Sequence, residues 1–166
     1  QKKNVKLAKN FYKLAMVDLA DDVDSKLSLK KALQYVEKSI EQDHQPLYLA
    51  MKATILFRLN QYDESKKFFK LALNSCKDKL LSAEIFNNYA CLLASTNGAA
   101  KAVEIWKKLE NDRYYLTPEV ALLNQGKVYA QNKDLKEARD CFSKSINIRP
   151  DFVDSRYYLS LVDYWL

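Results

Sequence analysis

Glycine occurs twice and proline three times in 166 residues. That is too seldom for the tight turns of a β-protein, so an all-helical chain is expected. Histidine occurs once, as His44 in "EQDHQP"; without a second imidazole it forms neither a metal pair nor a proton relay and reads as a turn residue. The three cysteines, Cys76, Cys91 and Cys141, are odd in number, widely spaced and nowhere C-x-x-C, which leaves them as small packing residues. No apolar run nears the ~18 residues of a membrane span, and no secretory core is visible. Two glycines cannot build a phosphate-cradling loop, and Gly98 belongs to the turn "STNGAA". The neighbouring carboxylates Asp21 and Asp22 would splay apart on a helix and suit a turn or cap. We therefore expect no enzyme, no cofactor and no metal. The chain opens on Gln1, which points to a processed or trimmed start.

What is present is an ordinary globular composition, 48% hydrophobic and 29% charged, with a net charge of +6. The lysines alternate with acids, as in "YDESKKFFK" and "KDLKEARD". They form no basic stripe interleaved with stacking aromatics, so nucleic acid is not the expected partner. RNA binding through the basic helices would show itself as a steep salt dependence.

A repeat runs through the chain. With Glu119 as position 1, Gly126 falls at 8, Tyr129 at 11, Ala138 at 20, Phe142 at 24 and Pro150 at 32. These are marker positions of the tetratricopeptide repeat. Small residues at 8 and 20 let the two helices of a repeat approach, aromatics at 11 and 24 fill the seam, and proline ends the second helix. Three positions depart from the pattern: Leu122 at 4, Gln125 at 7 and Ser145 at 27. Upstream, Ala53, Ser65, Phe69 and Ala72 repeat the register from Pro46, and Ala90, Ala102 and Trp106 repeat it from Ala83. With Ala32 in the first copy, the position-20 residues are 33, 37 and 36 apart. The expected fold is all-α, a right-handed α-solenoid of about four tetratricopeptide repeats, roughly 4–45, 46–82, 83–118 and 119–152, closed by a capping helix at 153–166. It would form a single domain of about nine helices, because no repeat buries its apolar face alone. The first helix should run from about Val5 to Ala20, with "DDVDSKLS" as an enlarged turn. The apolar end "LVDYWL" could also pack on a neighbour.

In such a stack the first helix of each repeat lines the concave face. Asn88 and Asn124 both fall at position 6. An amide there can pair with the C=O and N–H of an extended peptide, or it can tie adjacent helices together. Around them Asn87, Cys91, Leu123, Lys127, Tyr157 and Leu161 are the candidate groove residues, giving an apolar groove with a cationic edge. The Lys and Arg clamp that seizes a C-terminal carboxylate is not reproduced, since Val120 holds position 2 and Tyr158 position 6.

The stretches "AEIFNNYACLLAS", "AVEIWKKLENDRYYLTPEVALLNQGKVYA" and "EARDCFSKSINIRPDFVDSRYYLSLVDYW" go beyond a generic repeat. Together they resemble the type IV pilus biogenesis and stability lipoproteins, the PilW/PilF pilotin family. The shared features are the paired Asn before Tyr and Ala, the aromatic connection ahead of "ALLNQG", and the closing L-x-L helix. The resemblance covers about half the chain and lacks the acylated cysteine. It implies a lipoprotein on the periplasmic face of the outer membrane, held only by an N-terminal lipid absent from this chain. Its partner would be a pilus secretin subunit, or a peptide segment of it, helped to reach the membrane and assemble into a ring. The step of 36 from Ala102 to Ala138 is two residues longer than the regular repeat of about 34. On this view the two extra residues, near Tyr114 and Tyr115, are a family mark. The alternative is a cytoplasmic repeat adaptor or secretion chaperone that binds an extended peptide of another client.

Overall fold

The computed structural model describes residues 3–20 and 25–166, and its described residues form nine helices and no strand. The helices are α1 (Val5–Ala20), α2 (Lys26–Gln42), α3 (Pro46–Arg58), α4 (Tyr62–Ser75), α5 (Lys79–Ala94), α6 (Ala99–Leu109), α7 (Pro118–Gln131), α8 (Leu135–Ile148) and α9 (Val153–Trp165). None is long and apolar enough to cross a membrane. The chain divides into two compact units, Gln1–Ile85 and Phe86–Leu166.

In the first unit α1 packs on α2, α2 on α3 and α3 on α4. Ala8 and Ala15 of α1, Ala32 and Val36 of α2, and Tyr48 and Ile55 of α3 form one buried cluster. The alanines at seven-residue spacing give α1 a smooth stripe that lets α2 approach, which settles the register of the first helix. The expected turn "DDVDSKLS" is shorter than read. Residues 21–24 lie outside the described residues, and α2 already begins at Lys26, where Ser25 Oγ accepts from the Ser28 N–H at 3.0 Å. His44 is exposed in the connection between α2 and α3, as a turn residue should be.

In the second unit α6 packs on α7, α7 on α8, and α9 on both α7 and α8. Leu123, Ala138, Phe142 and Val162 are the core of this packing. The three departures from the repeat pattern each have a physical account. The Gln125 side chain is buried, and its Nε2 donates to Glu110 Oε2 at 2.7 Å. Ser145 Oγ donates to the Glu119 carbonyl at 2.9 Å and lies 2.6 Å from Ser155 Oγ, so three helices meet on one hydroxyl. Leu122 is simply buried in place of a larger ring. The long connection from α6 to α7 is fixed by its own contacts. Tyr115 is buried, its N–H donates to Asp112 O at 3.0 Å, and the Tyr114 N–H donates to Asp112 Oδ1 at 2.9 Å.

The turns inside the two most regular repeats share one geometry. After α3 the Gln61 N–H reaches back to Leu56 O and the Asn60 N–H to Phe57 O, both at 2.9 Å, with Asn60 at φ 61. After α7 the Asp134 N–H reaches Tyr129 O at 2.9 Å and the Lys133 N–H reaches Ala130 O at 3.0 Å, with Lys133 at φ 65. Both are helix ends closed by a left-handed residue, a place that favours Gly or Asn.

Candidate functional site

The candidate residues lie on α5, α7 and α9, and the second unit brings most of them together. Trp106 on α6 organises the amides. It is buried, and its indole N–H donates to Asn87 Oδ1 at 3.0 Å. An indole can only donate, so this contact fixes which end of the Asn87 amide is the oxygen. The same oxygen accepts from Asn124 Nδ2 at 3.4 Å, and Asn87 Nδ2 donates to Asn88 Oδ1 at 3.5 Å. Asn124 Nδ2 also approaches Cys91 Sγ at 3.8 Å. A polarity therefore passes outward from the core. Asn88 is left with its NH2 group free to donate and Asn124 with its carbonyl oxygen free to accept. Such a pair matches the C=O and the N–H of an extended peptide.

Two sequence expectations are corrected. Leu123 is buried in the core with Phe142 and Val162, and so is withdrawn from the groove. Asn87 is buried too, and its oxygen is committed to Trp106 and Asn124, so it ties helices together and does not face a partner. Both hold position 5 of their repeats, whose side chains point between helices. Asn88, Asn124, Cys91 and Lys127, at positions 6 and 9, are half-buried at the surface of the same face. Tyr157 and Leu161 on α9 are exposed, at 59% and 39%.

Sequence reasoning missed the role of Tyr158. Its ring stacks on Phe142 at 5.5 Å and carries Lys127 Nζ 4.9 Å above it, which holds this ammonium in place. Burial raises the Cys91 thiol above its ordinary range, partly offset by Lys127. Its contact in the site is therefore made as a neutral thiol. Among the described residues no group of three or more His, Cys, Asp or Glu side chains converges as metal ligands would. The arrangement offers hydrogen-bond donors, acceptors and apolar surface to a partner.

Comparison with known proteins bears on the fold. Residues 47–79 and 120–152 each match the model of the tetratricopeptide repeat. A search of curated protein sequences returns no significant match. Among solved structures the chain is similar to PilW, described as a widely conserved type IV pilus biogenesis factor. The TM-score is 0.82 at 25% identity, over 96% of this chain and 70% of that one. PilF of Pseudomonas aeruginosa gives a TM-score of 0.81 at 18% identity, over 96% and 68%. YrrB, described as a repeat protein with an unusual peptide-binding site, gives 0.63 at 17% identity, over 95% and 77%. The all-α architecture is thus that of the tetratricopeptide-repeat proteins, similar to pilus biogenesis factors of that fold.

Proposed function

We propose that the chain is a non-enzymatic protein-binding scaffold of type IV pilus biogenesis, acting as a pilotin. It would sit at the periplasmic face of the outer membrane through an N-terminal lipid. There it would bring a pilus secretin subunit to the membrane and support assembly of its ring. The observation that carries the reading is the likeness to PilW, with a TM-score of 0.82 over 96% of the chain at 25% identity.

The mechanism is capture without chemistry. The outward NH2 of Asn88 and C=O of Asn124 pair with the backbone of an extended client segment, each contact contributing ~0.5–1.5 kcal/mol. Side-chain pockets on α7 and α9 must supply the rest of the affinity. The chain's formal charge of +6 favours encounter with acidic partners and headgroups.

The test is the state of the secretin in outer membranes of cells lacking this gene, run unheated on a denaturing gel. Loss of the high-mass ring, its return with the wild-type gene, and only partial return with Asn88→Ala plus Asn124→Ala support the proposal. A normal ring in the deletion strain overturns it.

A further inference from the structure

The helices α7 and α9, the turn after α7 and the start of α8 line an open cleft of about 610 Å3, within the ~300–1,000 Å3 of ligand clefts. Its floor is apolar, formed by Leu135, Tyr158, Leu161 and Val162, and Trp165 stands at its lip, 70% exposed. Lys127 and Lys133 are among the lining residues, and among the described residues no Asp or Glu joins them. Asp163 on the same helix is already taken, since Arg139 Nε donates to it at 2.6 Å. The cleft is therefore an apolar seat whose only charges are positive.

The Lys127 ammonium and the Lys133 backbone are each fixed by structure. Lys127 lies over the Tyr158 ring at 4.9 Å. Lys133 occupies the left-handed position of the turn, at φ 65, where the equivalent turn after α3 has Asn60 at φ 61. Asparagine adopts that conformation more cheaply than lysine. The turn geometry alone does not account for a lysine there, and a place on the wall of the cleft does.

We infer that this cleft binds an acidic peptide segment of a protein client. An apolar side chain of the client sits on the floor, and its flanking carboxylates pair with Lys127 and Lys133. The inference rests on the reading of the chain as a protein-binding scaffold and gives the chemistry of the client. Apolar burial supplies most of the affinity, because exposed ion pairs contribute little each. The two cations select carboxylates over neutral or basic flanks.

The probe is the peptide N-acetyl-Asp-Leu-Phe-Asp-amide, titrated against the whole chain while the indole N–H resonance of Trp165 is followed. Saturable shifts at Trp165 and along α9 are expected. Binding should weaken about two- to fivefold per lost charge in the peptide with Asn for Asp, and further in the peptide with Ala for Leu and Phe. Lys133→Asn should weaken binding about two- to fivefold while raising the melting temperature by about 2 °C. That opposition cannot come from a merely structural role. Equal affinity for the acidic and amide peptides, shifts confined to other helices, or saturable binding of dodecanoate without binding of the peptide overturns the assignment. The secretin gel separates this inference from the pilus role. A Lys127→Met, Lys133→Asn chain that loses the probe but fully restores the ring overturns the cleft as the client's seat and leaves the pilus role standing.

Discussion

The indole N–H of Trp106 donates to Asn87 Oδ1 at 3.0 Å, and both side chains are buried. Breaking this contact from one side leaves an amide oxygen without a strong partner in a low-dielectric place, which costs about 1–3 kcal/mol. Trp106→Phe should therefore destabilise the chain by about 2–4 kcal/mol, part from the hydrogen bond and part from lost ring volume. A double-mutant cycle with Asn87→Ala in urea should show a coupling of about 1–2 kcal/mol. Additive effects would mean that the contact carries no energy of its own.

A methyl group on Gly126 would stand 2.5 Å from Phe142 Cε1 and 2.8 Å from Cδ1 and Cζ. Two effects of Gly126→Ala then oppose each other. Helix propensity favours alanine by about 0.8–1.0 kcal/mol, while overpacking a filled core costs about 1–3 kcal/mol. Phe142 is fully buried and stacked on Tyr158 at 5.5 Å, so it has nowhere to retreat. A net loss of about 1–2 kcal/mol is expected, measured by urea unfolding. Partial recovery is expected in the Gly126→Ala, Phe142→Leu pair, which frees the space. A stabilised Gly126→Ala would show that the helices can part at no cost.

The fold was readable where side-chain volume sets helix spacing. Gly126 against Phe142 and the buried Ala53, Ala90, Ala102 and Ala138 are short-range consequences of sequence position, so periodicity finds them. The groove was readable only to within a helix face. Asn87 and Asn88 are neighbours in sequence, yet one is buried beneath Trp106 and the other lies at the surface, and a one-residue step turns a side chain by about 100°. The partner of Gln125 is Glu110, just past the end of α6, and no local pattern announces that pair. The left-handed turn at Lys133 is not legible in the sequence, because it carries lysine where glycine or asparagine, as at Asn60, is the usual signal.

Asp43 gives the first unit a defined acid response. Its side chain is 2% exposed, Gln45 Nε2 donates to Oδ2 at 2.9 Å, and Lys3 Nζ lies 3.3 Å from Oδ1. The Gln45 hydrogen bond, helped by Lys3, holds this carboxyl below its ordinary value of 3.8. The folded state therefore binds that proton less readily than the unfolded chain does. The stabilisation is complete above pH 3.8, the unfolded value, and is lost as pH falls through the lower folded one. Asp43→Asn should lower the melting temperature at pH 7, and the gap to wild type should close as pH falls from about 5 to below 3. A gap independent of pH would mean that charge plays no part at this site.

The three thiols should differ in reactivity in an order set by burial. Cys141 is buried, and desolvation, with Asp140 adding to it, pushes its pKa up to about 11. A thiol reacts as its anion, so at pH 8 only about one Cys141 in a thousand is reactive, before access is considered. Cys76 and Cys91 are half-buried, with burial raising both, and Lys127 opposes the rise at Cys91. Iodoacetamide at pH 8 should alkylate these two first, with Cys141 modified only after urea unfolding, as read by peptide mass spectrometry. Cys91 touches Asn124 Nδ2 at 3.8 Å, so the adduct there would stand beside the Asn88 and Asn124 pair. Alkylated chain should therefore bind a client segment less tightly, whereas a Cys91→Ser chain treated in the same way should keep its affinity. Equal loss in both would assign the effect to Cys76 and move the binding face away from α5 and α7.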